Sequence, residues 1–206
     1  KTILRVDDDV RNAVQERYMI IYNLFRVKDP ITHLHSLRVS EFGGLFCDFM
    51  EESFGLPRDL LQNGLYLHDA GKVGIMNQIL KSKKVFGEGS KEREYYIRPH
   101  PEVGAELLRG LPRAITNMAR YHQEKWDGSG YPRKLRGKKI PLEARVTGLI
   151  DAMDAILAKR HYKEDETLAK GLKKIKTAAG SHFDPELVQL HDEYIQTGGA
   201  RIDKLF

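Results

Sequence analysis

The chain has 206 residues, 41% of them hydrophobic, which is enough for one domain with a buried core, alone or with an added lead-in. Its 34 Lys and Arg against 29 Asp and Glu leave a mild net charge of +5. The basic residues recur in short groups that would suit a small anionic ligand, and the lack of a groove-reading motif argues against long nucleic acid. One cysteine, Cys47, excludes a disulfide framework. The longest apolar stretch, Tyr18 to Phe25, is too short to span a bilayer, and no secretory leader opens the chain, so a cytoplasmic protein without a membrane segment is expected.

In chain order, Ile3 to Asp9 (ILRVDDD) resembles the start of a receiver domain, where a strand runs into an acidic pocket; the rest of such a fold does not follow. Val14, Tyr18, Ile21, Tyr22 and Phe25 recur at helical spacing and predict a lead helix ending before Asp29-Pro30. A second helix carries Val39, Phe42, Phe46 and Phe49 on one face, with His35 one turn earlier on that face. Pro57 starts a third, in which Leu61, Leu65 and His68 share a stripe before Gly71 stops it. His100-Pro101 opens a fourth, carrying Val103 and Leu107. Pro112 opens a fifth, where Ile115, Met118, Ala119 and His122 fall at i, i+3, i+4 and i+7. Pro141 opens a sixth, with a strip of small residues (Ala144, Gly148, Ala155, Ala158) around Asp151. Gly180, the Phe183-Asp184-Pro185 turn and a helix through Leu187, Val188 and Leu190 close the chain. The expectation is an all-α, compact helical bundle, with residues 1–28 as a lead-in segment and 29–206 as the domain proper.

His35, His68, His100 and His122, with Asp69 and Asp151, fall at or near helix ends on or beside buried faces. One such histidine reads as a satisfied core residue. Four together, two of them next to carboxylates, would be costly to bury without a cation, and imidazole with carboxylate is the ligand set of a hydrolytic two-metal site. His33, His161, His182 and His191 stand beside turns or on polar faces and read as surface residues. Short basic groups, such as Arg133 to Lys139 and Lys170 to Lys176, read as solvated faces.

His68-Asp69 followed by Gly71-Lys72 resembles the signature of the HD metal-dependent phosphohydrolases. Five stretches in family order narrow the resemblance to the HD-GYP cyclic di-GMP phosphodiesterases: DPITHLHSLRV (29–39), LHDAGKVGI (67–75), HPEVG (100–104), HQEKWDGSGYP (122–132) and ARVTGLIDAMDAILAKR (144–160). The resemblance implies a helical bundle of the HD-domain type with a buried site for two divalent metal ions, iron and manganese first, with zinc, nickel or magnesium as alternatives. His35, His68, Asp69 and Asp151 would hold one ion, and Asp69 would bridge to a second held by His100 and His122. The pair would share a hydroxide that attacks the phosphodiester, converting cyclic di-GMP to linear pGpG, with GMP as the alternative end product. Lys72 would reach a phosphate oxygen, Arg160 and Lys163 would grip the ligand's phosphates or guanines, and Asp154 would support the ligands from behind. Glu124 and Asp127 would orient ligand histidines. The glycine–aromatic segment reads as a turn whose Trp126 and Tyr131 pack on the bundle; the resemblance implies instead a wall of the substrate pocket, with Tyr131, or a docking surface for diguanylate cyclase (GGDEF) domains.

Two departures stand out. Where the family often has a second consecutive histidine this chain has Gln123, a weaker candidate ligand. Where a glutamate accompanies a third metal it has Ile31, which cannot coordinate. The competing expectation is therefore a degenerate module that binds cyclic di-GMP or protein partners without efficient turnover.

Overall fold

The computed structural model describes residues 8–50, 57–76, 79, 91, 93–158 and 168–197. Among them run eight α-helices and no β-strand: α1 (Asp8–Lys28), α2 (Pro30–Phe49), α3 (Arg58–Leu67), α4 (His100–Leu107), α5 (Arg113–Tyr121), α6 (Leu142–Ala158), α7 (Leu168–Thr177) and α8 (Pro185–Gln196). Residues 3–7 of the receiver-like opening lie outside the described residues. Asp8 and Asp9 sit in the first turn of α1, where negative charge complements the helix dipole.

Local chemistry sets the boundaries. The Asp29 side chain accepts from Thr32 N (3.3 Å) and Pro30 occupies the first turn of α2. Asp184 and Pro185 do the same for α8, with Glu186 N donating to Asp184 at 2.9 Å.

Two apolar clusters hold the bundle. Val39, Phe42 and Phe46 of α2 meet Leu149, Ile150 and Met153 of α6, together with Ile175, Leu187, Val188 and Tyr194 of α7 and α8. Val14, Ile21 and Phe25 of α1 meet Leu60, Tyr66, Leu67, Ile115 and Ala119 of α3 and α5. The lead helix is thus built into the core. Helix α2 packs on α3, and α5 on both α3 and α6, so the two clusters adjoin.

Several expectations change. Helix α3 ends at Leu67, and Gly71 does not stop it: Gly71 lies in a following 3-10 turn, Ala70–Gly74. Its glycine is required by contact, because a Cβ there would lie 2.0 Å from the His100 carbonyl oxygen. Val103 and Leu107 are about 40% exposed, since α4 buries its His100, Pro101, Gly104 and Ala105 face instead. Phe49 is half-exposed at the end of α2, its ring 5.2 Å from that of Tyr194. His33 and His191 are buried: His33 Nδ1 bonds the Tyr66 hydroxyl at 2.9 Å, and the His191 ring lies edge-on to Phe42 and Phe46. Of the small strip on α6, Ala144 is buried, and a Cβ at Gly148 would come 2.8 Å from the His122 carbonyl oxygen. Ala155 is exposed instead. The strip thus seats the start of α6 against the end of α5.

Candidate metal centre

Three of the histidines are held in the same way. The Nδ1–H of His68 donates to Leu65 O (2.6 Å), that of His100 to Ile97 O (2.6 Å), and that of His122 to Ala119 O (2.9 Å) and Met118 O (3.1 Å). His68 and His122 sit immediately after α3 and α5, where carbonyls lack helical partners; His100 opens α4 after a π-helical turn, Arg93–Ile97. With Nδ1 committed as donor, the neutral ring presents its Nε2 lone pair.

All of these Nε2 atoms face Asp69, which is 1% exposed. His100 and His122 approach Oδ1 at 3.4 and 3.7 Å, while His68 and His35 approach Oδ2 at 3.5 and 3.7 Å. Each carboxylate oxygen therefore faces one histidine pair. His100 Nε2 and His122 Nε2 lie 3.2 Å apart, and His68 Nε2 and Asp69 Oδ1 are buried with no hydrogen-bond partner. His35 differs: its Nδ1 lies 2.6 Å from Asp154 Oδ2 and its Nε2 3.2 Å from Asp151 Oδ1.

Electrostatics follow from this packing. Burial lowers His100 to about 4 and His122 to about 3, so both rings are neutral near pH 7. For His35, burial also opposes charge, but the hydrogen bonds to Asp151 and Asp154 outweigh it and raise the ring to about 9. Burial works against the charge of Asp69, Asp151 and Asp154, yet Lys72 and the histidines hold Asp69 well below the usual carboxylate range. His35 holds Asp151 well below that range too, and His35 with Arg38 lowers Asp154. The site is a cluster of buried anions and lone pairs that a divalent cation fits. His35, His68 and Asp151, and likewise His68, Asp69 and His122, offer donor atoms all within 4.8 Å of one another.

The remaining candidates fall less uniformly. Lys72 does not project free toward a substrate position; its ammonium group is ion-paired to Asp69 Oδ2, and Asp69 and Asp151 raise its pKa against the effect of burial. Glu124 orients no histidine. Its two oxygens accept the backbone N–H groups of Arg133 (2.6 Å) and Leu135 (3.0 Å), which fastens the loop after the glycine–aromatic segment. Asp127 is exposed and accepts from Ser129 N (2.8 Å), a local turn bond. Tyr131 lies under the Arg98 guanidinium, 4.8 Å from the ring centroid. Gly130 is required where it stands, since a Cβ would meet Lys125 N at 2.3 Å and Glu124 Cα at 2.5 Å. Arg160 and Lys163 lie outside the described residues, as does His161.

A cavity of about 150 Å³ opens beside the centre. His122, Gln123 and Asp151 line one part of it; Trp126, Arg145 and Asp184 line another. Arg145 is ion-paired to Asp184, donates from Nε to Ile140 O (3.0 Å) and sits 5.8 Å over the Trp126 ring. Gln123, in the turn after α5, therefore faces the cavity next to His122. Sequence reasoning missed Arg38, whose guanidinium grips both oxygens of Asp154 (2.6 and 2.9 Å). The available signal was its spacing: Arg38 stands three residues after His35, as Asp154 stands three after Asp151.

The HD domain family matches residues 58–187. The chain is 34% identical over 198 residues to the 3′3′-cGAMP-specific phosphodiesterase 2 of Vibrio cholerae, covering 91% of this chain and 37% of the relative. It is 30% identical over 174 residues to the cyclic di-GMP phosphodiesterase of Thermotoga maritima, covering 82% and 46%. It is 31% identical over 205 residues to a cyclic di-GMP phosphodiesterase response regulator of Xanthomonas campestris, covering 96% and 51%. The chain thus spans between a third and about half of the length of these relatives. Among solved structures, a cyclic GMP-AMP phosphodiesterase of Vibrio cholerae superposes with a TM-score of 0.64 at 19% identity, over 94% of this chain and 51% of that one. A Bdellovibrio bacteriovorus protein of the HD-GYP type superposes with a TM-score of 0.62 at 18% identity, over 91% and 62%. At these identities the structural likeness speaks for the fold.

Proposed function

Because the chain belongs to the HD domain family, in its HD-GYP branch, we propose that it is a metal-dependent phosphodiesterase hydrolysing cyclic di-GMP to linear pGpG. The observation that carries this reading is the convergence of imidazole Nε2 atoms on both oxygens of one buried aspartate, two of them 3.2 Å apart with their ring protons committed elsewhere. Uncompensated donors packed this way are costly unless a cation joins them. Two divalent cations, iron or manganese, bound by His35, His68, Asp151, His100, His122 and a shared Asp69, would supply Lewis acidity to the phosphodiester and acidify the attacking water.

The protein's own groups do the rest. Asp69 and Asp151 set the negative charge of the site, and the backbone carbonyls fix which nitrogen each histidine presents. Lys72 holds positive charge against Asp69, and its flexible stem would let the ammonium group reach a phosphate oxygen beside that carboxylate. The cavity lined by Gln123, Trp126 and Arg145 lies beside the centre and offers hydrogen-bond donors to one end of a dinucleotide. A cyclic di-GMP substrate would go with a cytoplasmic location, and the glycine–aromatic segment, whose Asp127 and Ser129 are exposed, would be the docking surface for diguanylate cyclase (GGDEF) domains.

A second substrate reading rests on a specific observation: the V. cholerae relative at 34% identity is named for 3′3′-cGAMP. The test is hydrolysis of both dinucleotides by manganese- or iron-loaded protein, with products separated by chromatography. Preferential formation of pGpG supports the proposal. Preference for the mixed dinucleotide moves the substrate to cGAMP, and cleavage of neither removes the enzyme reading.

A further inference from the structure

His35 and Arg38 stand one helical turn apart on α2, and Asp151 and Asp154 one turn apart on α6. The two pairs face each other. His35 Nε2 meets Asp151 Oδ1 at 3.2 Å, and His35 Nδ1 meets Asp154 Oδ2 at 2.6 Å. Arg38 closes the square from the far side, with Nε on Asp154 Oδ1 at 2.6 Å and an Nη on Asp154 Oδ2 at 2.9 Å. Asp154 is 3% exposed, and both of its oxygens are taken by this fork and by the imidazole.

We propose that Arg38 is a positioning residue for the metal centre: its guanidinium fork fixes the plane of the Asp154 carboxylate, and that carboxylate fixes the rotation of the His35 ring, aiming Nε2 at the ion. This inference rests on the metal-site reading above. The physical case is geometric. His68, His100 and His122 each bond a carbonyl three or four residues back along their own chain segment, so each ring is aimed by its own backbone. His35 has no such carbonyl among its bonds. It lies in the first half of α2, where backbone carbonyls are engaged within the helix, and its Nδ1 partner comes from α6, 119 residues away in sequence. A carboxylate on a second helix can swing about its χ2 torsion unless something locks it. A planar five-donor fork locks a carboxylate in two places at once, which an ammonium group cannot do. Arg38 thereby replaces, for His35, the aim that the other three rings take from their own chain.

The test uses Co²⁺, whose visible spectrum reports the ligands around the ion, titrated into the metal-stripped 206-residue chain. Removing a group that aims a metal-ligating histidine typically weakens binding about 10- to 100-fold. Arg38→Met is therefore expected to lower Co²⁺ affinity at one of the two sites by that factor and to change its spectrum, with the helical circular dichroism retained. Arg38→Lys keeps the charge without the fork and is expected to recover only a small part of the affinity. In an Asp154→Asn background the Arg38→Met change should add almost nothing, because the proposed route through the Asp154 carboxylate has been cut. Unchanged affinity and spectrum in folded Arg38→Met would overturn the inference. So would full recovery by lysine, or additive losses in the double variant. If Arg38→Met does not fold, the comparison of Asp154→Asn with Asp154→Asn/Arg38→Lys decides: equal affinities support the proposal and a further loss overturns it. A wild-type chain that takes up no Co²⁺ overturns the metal reading and this inference together.

Discussion

His100 Nε2 and His122 Nε2 lie 3.2 Å apart, while the Nδ1 proton of each ring is bound to a backbone carbonyl. Neither ring has a proton to place between them, since burial lowers both pKa values to 4 or below. Two lone pairs at that distance repel unless a cation is shared. The same side of the cluster holds Asp69 Oδ1, buried and without a hydrogen-bond donor. The His100–His122 side thus suits a cation better than a proton, whereas the carboxylates beside His35 favour its protonated ring.

The shared carboxylate gives the first prediction. Asp69→Asn keeps the shape and removes the charge and one acceptor facing the histidine pairs. Metal analysis of the purified variant is expected to show both ions lost, with kcat/KM falling more than about 100-fold, the upper range for losing a mere supporting group. A variant with full metal content would detach Asp69 from the ions.

Gln123 lines the cavity beside His122. Gln123→His offers an imidazole in place of an amide, and the ion on the His100–His122 side is expected to bind about 10-fold more tightly in a competition titration with a chelator. An unchanged affinity would show that this side chain stays out of reach of the ion.

Metal uptake should depend on pH through His35. Its ring carries a proton up to about pH 9, held between Asp151 and Asp154. Below that value a cation must displace the proton, so affinity at the His35 site should rise about tenfold per unit as pH climbs toward 9 and then level off. Affinity measured between pH 6.5 and 8.5 that stays flat would contradict a displaced proton.

His191 gives a prediction about stability away from the centre. Burial between Phe42 and Phe46 lowers its pKa to about 4, whereas in the unfolded chain it is about 6.5. The unfolded state takes the proton first, so the stability is fully present above pH 6.5 and is lost as pH falls toward 4. The loss approaches about 3 kcal/mol. Urea unfolding at pH 7 and pH 4.5 should show a smaller drop for His191→Gln than for wild type; equal drops would place the acid sensitivity elsewhere.

Glu124 separates loop fastening from support of the metal. Removing its carboxylate leaves the N–H groups of Arg133 and Leu135 without their acceptors. Glu124→Ala is expected to cost about 1–3 kcal/mol of stability with metal affinity unchanged. A fall in affinity at unchanged stability would restore the role of orienting a histidine.

The helices were legible because proline, aspartate and apolar spacing mark them: Asp29-Pro30, Pro112 and Asp184-Pro185 each open one. The ligand candidates were legible because His68, His100 and His122 stand at helix boundaries and His35 shares the buried-face spacing of α2, although it lies inside that helix. What lay hidden depends on which helices meet. Val103 and Leu107 have helical spacing, yet α4 turns its glycine face inward to let Gly71 approach within contact of the His100 carbonyl. Glu124 looks like a partner for its neighbour His122, but the chain loops back nine to eleven residues to claim both its oxygens. Arg38 meets Asp154 across 116 residues of sequence, and the matching three-residue spacings after His35 and Asp151 hint at the pairing without showing that the two helices face each other.

The most direct test of the central claim is a timed assay of cyclic di-GMP hydrolysis, run on chelator-stripped protein before and after addition of two equivalents of Mn²⁺ or Fe²⁺, with bound metal quantified in the same samples. The account predicts no product from the stripped protein and steady formation of pGpG once both ions are bound. Protein that binds two ions and cyclic di-GMP yet releases no pGpG would contradict it, and would make this chain a binding module built on a hydrolase frame.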